Sequence, residues 1–317
     1  MSPVGANDVT VGLVGLGVIA ETHLTVLSYL PSIHLSFVVD PAPVTPPTFK
    51  GQRPPLYRSL DQALEEHEPD VIAVATPTPT HADITRRALE SSRARVLVEK
   101  PMVHDLDALT QFESTTSPAE LRSRVFVAHH FAFSPEVTWG AAQLRAHPEW
   151  GPVKRIVTSF HNAYITDAPH SFEAYTSSWV DSGVNQLSML RRFVDLVDRG
   201  PLMESDDGAT SWCTVRFRSH DDIGVASLRT SWQAVASSKR TTLYLEQSGV
   251  EIWLDHTAVT GFVTQDGALL SQLMNDGRTP RKVAHYRPLW ESLLTGAPDP
   301  ILGFDAAAEV VRLLYEP

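Results

Sequence analysis

Three short groups of residues are suited to chemistry, and their spacing says which chemistry. Gly15-Leu16-Gly17-Val18-Ile19-Ala20 matches the pattern G-x-G-x-x-A. In such a turn the first glycine permits a tight bend and the second lets a pyrophosphate approach the backbone with no Cβ in the way. The small third residue lets helix and strand pack closely. Asp40 lies 20 residues beyond Ala20, where an acidic side chain accepts hydrogen bonds from the adenosine ribose hydroxyls. A carboxylate there repels a 2′-phosphate, so NAD is favoured over NADP. No arginine follows Asp40 directly, although Lys50 or Arg53 can fold back from the proline-rich loop Pro41 to Pro55. The second group is Glu99-Lys100-Pro101. The third is Asp181 with Asn185, four residues apart and on one face if the segment is helical.

These groups need elements to hold them. Val9 to Val14 is short and β-branched and predicts a buried strand, and Ile19 to Leu30 predicts a helix stopped by Pro31. His34 to Val39 is the next strand. Ser59 to Gln62 is a capping box opening a helix to about Glu66, and Asp70 to Ala75 a third strand. Thr80 to Asp83 reads as a second capping box, for a helix to about Ser91. Arg95 to Glu99 and Val125 to Ala128 are further strands, with a helix from Asp105 to about Glu113 between them. Strands alternating with helices imply a doubly wound parallel sheet, in which ligands lie outside the carboxyl ends of the strands. Gly15, Gly17, Asp40, Thr76 to His81, Glu99, Lys100, His129 and His130 all fall there. Further along, Val153 to His161, Trp212 to Arg218, Ile223 to Ser231, Thr241 to Gln247 and Glu251 to Leu254 are strand-like, and Ser182 to Asp195 is the main helix.

Taken together, the glycine turn, Ala75-Thr76-Pro77-Thr78-Pro79-Thr80-His81 and Glu99-Lys100-Pro101 resemble the Gfo/Idh/MocA oxidoreductases, the family of glucose-fructose oxidoreductase and inositol dehydrogenase. Trp150-Gly151-Pro152-Val153 is similar to that family's turn into a second domain, and Phe304-Asp305 with the helix to Tyr315 is similar to its closing helix. The resemblance implies an α/β protein in two parts. Residues 1–130 form a dinucleotide-binding Rossmann domain, on which a closing helix at 304–317 packs back. Residues 131–303 form an α+β domain for substrate binding and oligomerisation, with an open, mainly antiparallel sheet. Gly15, Gly17, Val18, Ile19, Asp40, Thr76, Pro77, His81, Glu99 and Lys100 then belong to the cofactor site.

The resemblance also implies that Lys100 reaches the alcohol or carbonyl of the substrate, and that a D-x-x-x-H motif supplies an aspartate and a catalytic histidine. Here the matching residues are Asp181 and Asn185. An amide orients a hydroxyl but has no titrating proton near neutral pH, so another group must carry the proton that alcohol oxidation releases. Lys100 is the first candidate. His161, Tyr164 and His170, in and after the first strand of the second domain, and His129 and His130 are the others. His81 has two readings, positioning the cofactor loop or opening a helix. Thirteen histidines include no H-x-x-x-H or H-E-x-x-H pair, so no metal is expected. Trp212, Trp232, Tyr244 and Trp253 are expected to fill the sheet's core or an oligomer face.

Composition narrows the field further. The 317 residues carry 26 Lys+Arg against 37 Asp+Glu, a net charge of −11, which argues against a nucleic-acid partner. A single cysteine, Cys213, forms no intrachain disulfide, and no apolar run approaches the ~20 residues of a membrane span, so a cytoplasmic protein is expected. The function that follows is NAD(P)-dependent interconversion of a secondary alcohol and a ketone on a sugar, cyclitol or related polyhydroxylated substrate. Two alternatives stand beside it: transient oxidation by tightly held NAD in an epimerase, lyase or glycosidase, and a non-catalytic dinucleotide-binding sensor. A homodimer or homotetramer, formed through second-domain strands, is expected.

Overall fold

A computed structural model describes residues 8–164, 176–246 and 249–316 of the chain. They fall into two compact units. The first takes the chain to Ala128 and again from Tyr286 to Val311, and the second takes His129 to His285 and the chain from Arg312 onward.

In the first unit, β1 (Val9–Val14), β2 (Ile33–Val39), β3 (Leu56–Tyr57), β4 (Val71–Val74), β5 (Arg95–Val98) and β6 (Val125–Val127) form one parallel sheet in the order β3-β2-β1-β4-β5-β6. The strands are nearly all apolar because helices cover both faces, and β4 is buried throughout. Strand order reverses at β1, the place where a doubly wound sheet opens its crevice. Helices Val18–Ser28, Leu60–Glu66, His81–Ser91, Leu106–Thr115 and Pro118–Arg124 make the crossovers. Residues 286–303, expected in the second domain, pack in this unit instead. The reason is aromatic: Tyr286 and Trp290, fully buried, lie edge-on to His23 of the first crossover helix.

The second unit is built on β7 (Val153–His161), β8 (Asp195–Arg199), β9 (Met203–Glu204), β10 (Thr210–Ser219), β11 (Asp222–Ser231), β12 (Ser238–Leu245), β13 (Val250–Asp255), β14 (Thr260–Gln265) and β15 (Ala268–Leu273). Their order is β15-β14-β13-β12-β7-β11-β10-β8, with β9 beside β10; β7 runs parallel to β11 and every other pair is antiparallel. Helices Pro135–Ala146 and Val184–Leu190 pack on one face. The expected helix Ser182 to Asp195 is shorter and differently made. A π-turn over Trp179–Gly183 leads into α-helix Val184–Leu190, and the chain then turns into β8. Phe193 and Val194, which continue the apolar periodicity, are the approach to an edge strand whose Leu196 pairs with Phe217. Along β7, Ile156, Thr158 and Phe160 face the core, while Arg155, Val157, Ser159 and His161 face the other way.

Candidate functional site

The glycine turn is shaped by two different requirements. Gly15 sits at φ +91°, and a Cβ there would lie 2.6 Å from the Ala75 carbonyl oxygen, so only glycine fits without strain. At Gly17 a Cβ would meet nothing within 4 Å, so this glycine faces open space. It is the N-cap of helix Val18–Ser28, offers no side chain to the first-turn N–H groups, and is followed by Val18 at 84% exposure. Unpaired donors at a helix start, facing a gap, suit the pyrophosphate of a dinucleotide. Ile19 continues the same turn, and Ala20 is buried under it.

Asp40 closes the ribose end. Its Oδ2 accepts from the Leu16 amide at 2.9 Å and its Oδ1 from the Ala42 amide at 2.8 Å, which ties the end of β2 to the glycine turn. Lys50 does not fold back here. Its Nζ donates to the carbonyls of Leu30 at 2.7 Å and Ile33 at 2.8 Å, at the opposite end of β2. The cation beside the acid is one that the sequence reading passed over. β3 pairs in parallel with β2, Val39 opposite Tyr57, so the next residue, Arg58, comes level with Asp40, and its guanidinium donates to the Ala42 carbonyl.

At the ends of β4 and β5 the segments Thr76 to His81 and Glu99 to Pro101 meet. His81 is buried, with Nδ1 2.9 Å from the Pro101 carbonyl and Nε2 2.8 Å from the Thr76 carbonyl. It joins the loops that carry Thr76, Pro77 and Lys100, and burial pushes its pKa down against the pull of the two carbonyls, each of which accepts a hydrogen bond from the ring. The expected capping box does not form: Thr80 Oγ1 bonds Thr76 Oγ1 and the Pro77 carbonyl, and helix His81–Ser91 starts without a side-chain cap. Glu99 is also not free for a cofactor. Its Oε1 takes hydrogen bonds from Tyr286 Oη and His23 Nε2, both at 2.9 Å, and its Oε2 accepts from the Lys100 amide at 3.2 Å. Trp290 Nε1 reaches His23 Nδ1 at 3.1 Å. An indole N–H only donates, so Nδ1 is the acceptor and Nε2 carries the proton toward Glu99. Burial pushes the Glu99 pKa up, but the bonds from His23 and Tyr286 outweigh it and hold the carboxyl below its usual range. Lys100 follows, half-buried, with a cis peptide to Pro101.

Within the second unit, Asp181 lies in the π-turn and is nearly buried. Its Oδ2 receives Trp232 Nε1 at 3.3 Å, Ser182 Oγ at 3.3 Å and Asn162 Nδ2 at 3.4 Å, and Lys239 Nζ donates to Asn162 Oδ1. Asn185 stands one turn on, its Nδ2 donating to the Asp181 carbonyl at 3.1 Å. The structure separates His161 from this group. It falls in the outward set of β7, beside Arg229 in a trough of about 740 Å³ that also takes in Val157, Trp212 and Ser227, and it is Asn162 that turns to Asp181. Burial, with the charges of Arg229 and Lys239, pushes the His161 pKa down. Tyr164 stays with the group, its ring 6.1 Å from Trp232. His170 lies outside the described residues. His129 is buried, and His130 Nδ1 is 3.3 Å from His285 Nδ1. Trp232 fills the core as expected and also donates to the candidate aspartate, whereas Trp212 and Trp253 are half-exposed on the sheet's outer face. Lys239 and Asn162 carried no motif: Lys239 sits among Ser238, Arg240, Thr241 and Thr242 in its strand, and nothing local marks it.

A family described as "Oxidoreductase family, NAD-binding Rossmann fold" matches residues 9–129. Inositol 2-dehydrogenase of Rhizobium meliloti (strain 1021) is 28% identical over 124 residues, which cover 39% of this chain and 37% of that protein. Among solved structures, GenD2 from gentamicin A biosynthesis in complex with NAD superposes with a TM-score of 0.71 at 21% identity, covering 99% of this chain and 95% of that one. A myo-inositol dehydrogenase from Corynebacterium glutamicum ATCC 13032 superposes with a TM-score of 0.72 at 19% identity, over 96% and 94%. The fold is therefore shared over nearly the whole chain, and the parallel first sheet and mainly antiparallel second sheet are both as the sequence implies.

Proposed function

We propose, for a chain whose residues 9–129 belong to the Gfo/Idh/MocA family of NAD-binding oxidoreductases, that it interconverts a secondary alcohol and a ketone on a sugar, cyclitol or related polyhydroxylated molecule. The observation that carries this is Lys100: it leaves β5 at the same edge of the sheet as the open Gly17 cradle, and its backbone is fixed by the locked carboxylate of Glu99. Gly15, Gly17, Val18, Ile19 and Asp40 would hold NAD, with Thr76, Pro77 and His81 shaping the loop beside it. When bound, NAD supplies the hydride acceptor or donor.

The protein's part is the proton and the orientation. Lys100 is the proposed contact to the reacting oxygen and the group that moves its proton, the task that Asn185 has no titrating atom to perform. Asp181, held by Trp232 and Asn162, presents a fixed acceptor to a substrate hydroxyl, and Asn185 orients a second. The relatives' dehydrogenase names support the substrate class. A cytoplasmic homodimer or homotetramer completes the proposal; among the described residues no helix is long and apolar enough to cross a membrane.

A panel of polyols and keto-sugars, read by NADH absorbance with either cofactor, tests the reaction. Stoichiometric NADH change supports it. Product without net NADH change would place the chain with transient oxidisers, and binding without chemistry would make it a sensor. Lys100→Met is expected to abolish turnover while leaving the dinucleotide Kd within a few-fold, and retained turnover removes Lys100 from the mechanism.

A further inference from the structure

Arg281 opens helix Arg281–Leu293, and its guanidinium lies over the Phe131 ring, 6.0 Å from the centroid, within the influence of Glu136 and Tyr164. Burial pulls its pKa down against the opposing pull of those two groups, yet an arginine this far above neutrality stays charged. A guanidinium offers five N–H donors in a planar fork. Among the described residues no hydrogen bond or ion pair takes any of them up, and Glu136, whose charge it feels, pairs with His256 instead. Glu136 is fully buried; its Oε1 is bonded to Ser134 Oγ and His256 Nδ1, both at 2.7 Å, and its Oε2 meets no partner.

One turn along the same face of the helix, His285 is buried and its Nε2 is likewise without a partner. Burial, helped by the Arg281 charge, pushes its pKa down to about 3, so it adds no charge near neutrality. Arg281 is therefore the positive group of this corner, while the Glu136 carboxylate, held below its usual range, is engaged through Oε1 by His256 and Ser134. The corner is continuous with the Asp181 group: Tyr164, which feels Arg281, neighbours Trp232, and Trp232 donates to Asp181. Lys239 approaches the same aspartate from the other side through Asn162.

Arg281 is half-buried, and a guanidinium with no acceptor in the protein leaves its donors to solvent or to a ligand that reaches them. A planar fork of donors matches the paired oxygens of a carboxylate or phosphate, which a neutral polyol does not present. We propose that Arg281 binds an oxyanion carried by the substrate, so that this chain prefers an acidic sugar or cyclitol, bearing a carboxylate or a phosphate, over the neutral compound. This rests on the second unit being the substrate-binding half of an oxidoreductase.

The test titrates the NAD-loaded protein calorimetrically with D-glucose, D-glucuronate and D-glucose 6-phosphate, and with myo-inositol and its monophosphate, while NADH absorbance is followed in parallel. At least one acid is expected to bind tenfold or more tightly than its neutral partner. Arg281→Met should remove that preference and Arg281→Lys should keep part of it, and the carboxylate and phosphate arms tell which oxyanion is read. Equal binding of neutral and acidic partners, an acid preference that survives Arg281→Met, or no binding by any acid each overturns the proposal. Arg281-dependent acid binding with no NADH change would uphold it and overturn the oxidoreductase reading. NADH change with neutral compounds alone would do the reverse.

Discussion

At the scale of single residues, cofactor choice rests on two neighbours of opposite charge. Asp40 accepts from Leu16 and Ala42 and keeps lone pairs for ribose hydroxyls, whereas Arg58 is pinned beside it by the Ala42 carbonyl. NAD is therefore expected to bind more tightly than NADP, Asp40→Ala to narrow the gap, and Arg58→Ala to widen it by weakening NADP alone. Fluorescence titration of both nucleotides checks this, and a tenfold preference for NADP in the native chain, about 1.4 kcal/mol, would contradict it. A second expectation concerns pH. His285 has a folded pKa of about 3 against about 6.5 when unfolded, so the unfolded chain binds the extra proton between those values. Stability from this site is complete above about pH 6.5 and declines as pH falls toward 3. Glu99 and Glu136 have depressed folded values, so what they contribute is present above the unfolded carboxylate value and lost as pH falls through the folded ones. Denaturant melts of His285→Gln should show a flatter dependence between pH 4 and 6; an unchanged slope would remove His285 from the account.

At the scale of elements, the turn after β1 separates two uses of glycine that the sequence pattern writes with the same letter. Gly17→Ala adds a methyl to empty space at a helix N-cap, so thermal stability should hardly change while dinucleotide affinity falls tenfold or more. Gly15→Ala forces a left-handed residue against the Ala75 carbonyl and should destabilise the fold by about 1–3 kcal/mol, with or without nucleotide. Calorimetry on both variants separates the roles. The βα alternation was legible because β1, β4 and β6 are short apolar runs and the helices at Leu60 and Leu106 are opened by the side chains of Ser59 and Asp105. Arg58 was not, because its place beside Asp40 depends on β3 returning to the sheet after a proline-rich loop, a pairing that no local pattern encodes. Nor was the Asp181 group, since Trp232, Asn162 and Lys239 come from separate strands and strand ends and converge only once the sheet register is set. The helix from 182 to 195 was misread for a related reason: an apolar 3.6 period continues smoothly into an edge strand whose Leu196 pairs with Phe217, far along the chain.

At the scale of the molecule, no helix of the described residues packs on the outer face of the second-unit sheet. Val157, Trp212, Val225 and Trp253 are 38–45% exposed there, interleaved with Arg155, Arg216 and Arg240. Aromatic and aliphatic side chains set among arginines are the composition of an interface core and its rim. Light scattering at micromolar concentration is expected to show a dimer or a dimer of dimers, and Trp212→Glu with Trp253→Glu to shift it toward monomer without unfolding. A single species near 35 kDa in the native chain would contradict this.

Strand β7 gives that face a further property. Its residues alternate between the wall that bears Asp181's partners and the wall that bears the exposed patch, and it is paired along both edges, in parallel with β11 and antiparallel with β12. Substitutions on one wall can accumulate without disturbing the other. Loss or gain of a single residue within the strand would exchange the two walls wholesale, so lineages of this chain should diverge freely by replacement on the outer face of β7 and carry insertions and deletions only beyond its ends.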